Sequence, residues 1–147
     1  PSTRPRRPPL NALILQPVMA QIGLMMALYV WLSLARLRAV GRGEVGYDAF
    51  VLGRDEPRAV ARITRNLANQ FELPVLMVGC VALLVALGEV GRFDVACAWL
   101  FVAGRLAHTA VQTLTDDVRL RGRVFGINLV GFLGLAGHLG LIALAAR

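Results

Sequence analysis

No charged residue occurs between Arg7 and Arg36, a stretch of 28 residues. A helix of that length crosses the roughly 30 Å hydrocarbon core of a bilayer. A water-soluble helix as long would need a polar face, and this run has none. A second clean run, Val124–Ala146, also carries no charge. Two further runs are interrupted. Pro74–Gly88 is uncharged but, at about 1.5 Å per residue, too short to cross. The span must therefore reach back past Glu72. The last run lies between Asp94 and Asp116, with Arg105 near its middle.

The pattern predicts an all-α integral membrane four-helix bundle, a single domain over residues 1–147. Its four transmembrane helices are expected at about 10–36, 59–88, 94–115 and 124–146. The connections are then Leu37–Pro57, Glu89–Asp94 and Asp116–Arg123. Residues 1–9, rich in proline and arginine, read as a flexible tail. The apolar run behind them is longer than the 7–15 or so residues of a signal peptide's apolar region.

Apolar residues make up 56% of the chain, against about 45–50% in soluble domains. All 16 basic residues are arginine and the net charge is +7. Such a balance favours anionic partners. The arginines flank apolar runs, with no finger spacing or helix-turn-helix pattern, so membrane lipids rather than nucleic acid are the expected partner. Ten arginines fall at the first and third connections and their helix ends, against Arg4, Arg6, Arg7, Arg92 and Arg147 on the other side. The positive-inside rule then puts the first and third connections in the cytoplasm and the termini outside; the expected location is a bacterial inner membrane. Cys80 and Cys97 lie inside apolar runs and read as small hydrophobes, and no metal-ligand spacing accompanies them.

Polar residues enter the apolar runs at two places. On the second span, Arg62, Arg65, Asn69 and Glu72 are spaced 3, 4 and 3 apart, which on a continuous helix keeps them within one arc of about 80°. On the third, Arg105, His108 and Gln112 repeat the device, with Thr109 beside them. A central arginine costs roughly 2.5–3.5 kcal/mol on insertion scales and must face a partner. Glu72 is the only carboxylate inside the spans, so an Arg105–Glu72 pair is expected, with Asn69 and His108 as further partners. On that pairing, Glu72→Ala strands a buried guanidinium at about 3–5 kcal/mol. Either the pair merely pins two helices, or the same residues form a ligand site. Arg62 and Arg65 either touch lipid phosphates or face an anionic ligand, since arginine grips carboxylates bidentately. His138 reads as a packing or water-bonded residue, and Asn128 as an interhelical hydrogen bonder. Gly126, Gly134, Gly137 and Gly140 share an arc that predicts close helix approach, within the chain or between subunits.

The stretch Arg62-Ile-Thr-Arg65-Asn-Leu-Ala-Asn69-Gln-Phe-Glu72-Leu-Pro74 resembles the signature of the MAPEG family, the membrane-associated proteins in eicosanoid and glutathione metabolism. Gly104-Arg105-Leu-Ala-His108-Thr109 is similar to the third span of its prostaglandin E synthase branch. The resemblance implies a homotrimer of four-helix bundles that holds glutathione near the cytoplasmic face. Arg65, Asn69, Glu72, Arg105 and His108 match binding positions, and Arg62 and Gln112 adjoin them. Arg119, Arg121 or Arg123, with Arg121 and Arg123 foremost, would supply the catalytic arginine that favours a thiolate. Gln112 stands where a tyrosine is expected, and Asp116 and Asp117 bring negative charge to a region often basic in active members. Two functions follow: a glutathione-dependent transferase or peroxidase for lipophilic substrates, or a non-catalytic accessory subunit, lipid-binding relative or scaffold in a larger membrane complex.

Overall fold

A computed structural model describes residues 9–53 and 55–146. Residues 1–8 of the expected tail, together with Arg54 and Arg147, lie outside the described residues. All regular structure among the described residues is helical. Helix α1 spans Leu10–Gly41 and a short α2 spans Ala49–Leu52. Next come α3 (Arg58–Ala68), a 3-10 turn (Asn69–Phe71) and α4 (Leu73–Leu87). Helices α5 (Arg92–Leu114) and α6 (Val118–Ala145) close the bundle.

Among the described residues, three segments are long and apolar enough to cross a membrane: Leu10–Gly41, Arg58–Leu87 and Val118–Ala145. Their outward faces carry exposed Leu15, Met19, Met26, Leu76, Leu83, Val130 and Leu133. Apolar surface on this scale has to meet acyl chains, so the chain is an integral membrane protein. Helix α5 has the length, 23 residues, or about 35 Å, but not the hydropathy. It packs against α1, α3 and α6. Its buried set includes Asp94, Arg105, His108, Thr109 and Gln112. Polar residues are tolerated there because protein, not lipid, surrounds them.

The expected second span is not one helix. Pro74 has no N–H to give, and its ring would clash with the carbonyl four residues back, so a helix running through it must break. The break falls at Asn69–Phe71, and Glu72 takes φ −97°, ψ −106° before α4 begins. The last helix starts at Val118 rather than at 124. The Asp117 carboxylate accepts the Leu120 N–H at 2.9 Å, an N-cap that stabilises helix outside the hydrocarbon as well as within it. The third connection therefore shrinks to Thr115–Asp117, and Arg119, Arg121 and Arg123 ride on the first turns of α6.

Two apolar clusters fill the bundle. One joins Ile14, Val18, Met77, Val81, Leu84, Phe101 and Leu135. The other joins Leu28, Leu32, Val60, Ile63 and Leu67. Buried Gln21 lies along α1 between the two clusters' residues, and Asn66, Gln70, Arg105 and Thr109 are buried with it. The first connection is tied down by an Arg36–Glu56 ion pair at 2.5 Å, with the same guanidinium over the Phe50 ring.

Near the start of α5, Asp94 is wholly buried. One oxygen accepts the Gly91 N–H at 2.7 Å and the other lies 2.8 Å from His138 Nδ1 on α6. His138, expected as a packing residue, thus ties the two helices together. Close approach of α5 and α6 also depends on glycine, though not on the set expected. A Cβ on Gly104 would lie 2.4 Å from Asn128 N, and one on Gly131 would lie 2.6 Å from Phe101 N. Gly134 packs on Cys97, whereas Gly126, Gly137 and Gly140 have nothing within 4 Å. Of the expected arc, Gly134 therefore serves the α5–α6 contact, while Gly126, Gly137 and Gly140 face away from the rest of the chain.

Gly104→Ala and Gly131→Ala should each destabilise the bundle by about 1–3 kcal/mol, since backbone must shift. Gly126→Ala and Gly137→Ala should leave the single bundle unchanged or slightly stabilised, because alanine is the better helix former, and a loss at these two would instead mark a contact between subunits. Thermal unfolding of the four variants in detergent tests this contrast.

Candidate functional site

The helix break is what assembles the polar centre. In an unbroken helix the Asn69 carbonyl would accept the N–H of residue 73. The break releases it, and Arg105 Nη2 donates to it at 3.1 Å. The buried guanidinium therefore caps the carboxyl end of α3, where carbonyl dipoles favour a cation. This corrects the expected Arg105–Glu72 pair. No such ion pair is found among the described residues. Glu72 is exposed at the break, so the 3–4–3 spacing no longer sets it on Arg105's side as a direct partner.

Beside Arg105 runs a chain of carboxamides. Gln21 Nε2 donates to Gln70 Oε1 at 2.9 Å, and Gln70 Nε2 donates to Asn66 Oδ1 at 3.0 Å. The Thr109 hydroxyl donates to the same Asn66 oxygen at 3.1 Å. Asn66 Nδ2 and Asn69 Nδ2 both donate to Gln112 Oε1, at 3.4 and 3.2 Å. The chain links α1, the α3 region and α5. Gln21, Asn66 and Gln70 were not recognised from the sequence as part of this centre. A polar residue in an apolar run was their only signal, and their partners are 49 and 46 residues away.

Two clefts flank the Gln112–Asn69 contact. The first, about 320 Å³, is lined by Arg58, Arg62 and Arg65 of α3, Arg121 of α6, Gln112, Asp116 and Asp117. The second, about 510 Å³, is more apolar: Phe71, Leu73, Leu76 and Phe125 surround Asn69, Glu72, Arg105 and His108. Arg105 Nε and His108 Nδ1 are buried and have no hydrogen-bond partner among the described residues. His108 packs edge-on against Phe125. The structure thus gathers Arg62, Arg65, Gln112 and Arg121 in one cleft, and Asn69, Glu72, Arg105 and His108 in the other. Arg123 is exposed and lines neither.

The two adjacent acids play different parts. Asp117 caps α6, while Asp116 pairs with Arg58 at 3.0 Å and with Arg62. The hydrogen bond from Arg62 holds the Asp116 carboxyl below its ordinary value of 3.8. Arg65 and Arg121 have no ion-pair partner among the described residues.

A membrane-embedded helical bundle, with an arginine-lined cleft at one end of the polar layer and an apolar one beside it, defines the class of protein. A model of the MAPEG family matches residues 14–141, nearly the whole length, and the chain belongs to that family. No curated protein and no solved structure matches it.

Arg105→Met should destabilise the bundle by about 1–3 kcal/mol, because the Asn69 carbonyl loses its donor inside the protein. Glu72→Ala, at an exposed position, should stay within about 0.5 kcal/mol. Denaturant unfolding in detergent separates the two; equal losses would restore the Glu72 pairing.

Asp116 has its pKa lowered in the folded state, so its bridge to Arg58 and Arg62 is complete above 3.8 and is lost as pH falls through the lower folded value. Carboxyl NMR should find Asp116 titrating below 3.8, and Arg62→Ala should move it back up.

Proposed function

We propose that the protein is a glutathione-dependent transferase or peroxidase acting on lipophilic substrates in the membrane. One observation carries the reading: four arginines, Arg58, Arg62, Arg65 and Arg121, converge on one cleft that borders an apolar cleft holding Arg105 and His108. Family membership supports it, since MAPEG members include glutathione transferases and peroxidases.

The chemistry of the residues fits glutathione, a small peptide with two carboxylates, one ammonium and one thiol. Arg65 and Arg121 have free guanidinium donors for carboxylate or thiolate. Asp116 and Glu72 offer acceptors for the ammonium group. The thiol supplies the nucleophilic sulfur. Arg121, on the first turns of α6, favours its anionic form. Phe71, Leu73, Leu76 and Phe125 exclude water on the opposite side and receive an apolar substrate from the bilayer. The arginine-lined cleft lies at the end of the bundle that carries the first and third connections. The arginine excess there supports a cytoplasmic-facing site, in a bacterial inner membrane, with both termini outside. The glycine face of Gly126, Gly137 and Gly140, open within one chain, is available for assembly into a homotrimer.

A second reading, a non-catalytic accessory subunit of a larger membrane complex, is favoured by Asp116. It already neutralises Arg58 and Arg62 from within the chain.

Calorimetry on the purified protein in detergent decides between them. Glutathione should bind, and Arg65→Ala or Arg121→Ala should weaken it about 10–100-fold, the loss of one charge-assisted hydrogen bond. Conjugation of a generic electrophile should fall with Arg121→Ala. No glutathione binding, with co-purification of a second protein at fixed ratio, would favour the accessory role instead.

A further inference from the structure

Gln112 lies on α5, 5% exposed, between the two clefts. Its carboxamide has two ends, and the surrounding chain of amides decides which end faces the first cleft. An amide oxygen only accepts and an amide nitrogen only donates, so fixing one member of such a chain fixes the rest. The sequence of donors runs from Gln21 through Gln70 and Asn66 to Gln112.

The opposite sense is disfavoured by its far end. Gln21 is 1% exposed and leaves only its carbonyl oxygen without a partner. Reversing every amide would bury the Gln21 NH2 with two donors unused. Sealed N–H groups without partners are rarer and more costly than an under-used carbonyl oxygen. Thr109 follows either sense, because a hydroxyl donates or accepts. The Gln21 end therefore sets the direction.

With that direction, Gln112 Oε1 is saturated by Asn66 and Asn69, one N–H for each lone pair. Its Nε2 makes no hydrogen bond among the described residues, yet it is not among the sealed interior atoms that lack a partner. Gln112 lines the same cleft as Arg65 and Arg121. We infer that Gln112 presents its NH2 group to that cleft as a fixed hydrogen-bond donor for an anionic sulfur, with Asn66 as the positioning residue that holds it there. The inference rests on the glutathione reading above and adds the residue that meets the thiolate.

A carboxamide takes no proton. When the S–H bond breaks, its electron pair stays on sulfur and the proton leaves to water through the cleft mouth, where Asp116 is exposed. Gln112 then stabilises charge already formed, in partnership with Arg121. A fixed donor aimed at a developing anion acts without reorganisation. The upstream amides polarise one another toward that last N–H, which strengthens it. The arrangement favours soft anionic nucleophiles, and Gln112 itself supplies no proton to a leaving group.

Gln112→Glu is the discriminating variant. It keeps an oxygen to accept from Asn66 and Asn69, so the amide chain survives, but replaces the donor with a second acceptor. Gln112→Leu removes both ends. Glutathione binding is measured first by calorimetry, and thiolate is then followed by its ultraviolet absorbance across pH with bound glutathione. The parent should form thiolate at lower pH than Gln112→Leu by about one pH unit, and Gln112→Glu should require a still higher pH. Asn66→Asp should move the titration the same way although Asn66 does not line the cleft. Glutathione binding with a titration unchanged in Gln112→Glu would overturn the donor role and leave the glutathione reading standing. An absence of binding to the parent protein would overturn both. Circular dichroism of each variant identifies loss of fold, and a misfolded Gln112→Leu leaves Gln112→Glu as the deciding comparison.

Discussion

The bundle depends on a guanidinium held by a helix end. Arg105 is 1% exposed in the middle of α5, where an uncompensated charge would be expensive. It is accommodated by the carbonyl of Asn69 at the carboxyl end of α3. That acceptor exists only because Pro74 prevents α3 from continuing into α4. The proline, the break and the arginine therefore form one device. Remove the proline and the carbonyl returns to a backbone bond; remove the arginine and a buried acceptor is left without its donor. A main-chain partner also differs from a carboxylate in kind. It neutralises no charge, so Arg105 keeps its positive field, and that field extends into the apolar cleft it shares with His108 and Glu72.

The amide chain does for three helices what Arg105 does for two. Outside water, each polar group must find a partner within the protein. Gln21, Gln70, Asn66 and Gln112 meet that demand mostly from one another. Because amides have direction, the layer carries orientation as well as cohesion. Apolar packing above and below it is tolerant of small slips. A donor placed against an acceptor is not, and helices α1, α3 and α5 are thereby fixed in register around the clefts.

The architecture was legible where a single physical demand dominated. Charge-free runs of membrane length marked α1 and α6, and the polar invasions marked where α3 and α5 face each other. The direct Arg105–Glu72 pair is not made, because the spacing holds only on an unbroken helix and Pro74, two residues on, carries the contrary signal, although both residues still line one cleft. The start of α6 was missed for a related reason. Asp116 to Arg123 reads as a charged connection, but charge ends a membrane segment without ending a helix, and Asp117 is a sound N-cap. The Asp94–His138 tie and the Gly104–Asn128 approach were hidden because each depends on register between α5 and α6, which neither helix shows alone.

That difference in α6 alters the site more than it alters the fold. Arginines on a flexible connection would be interchangeable cations near a headgroup layer. On a helix, 3.6 residues per turn separates them: Arg121 turns into the cleft while Arg119 and Arg123 are exposed. Asp116 and Asp117 then become parts of the same construction. One fixes where α6 begins and so where Arg121 points. The other occupies Arg58 and Arg62 at the mouth, leaving Arg65 and Arg121 as the cleft's guanidinium groups with no ion pair among the described residues. The positive charge left open in this cleft is accordingly set less by the number of arginines than by which of them the chain's own aspartate has left uncommitted.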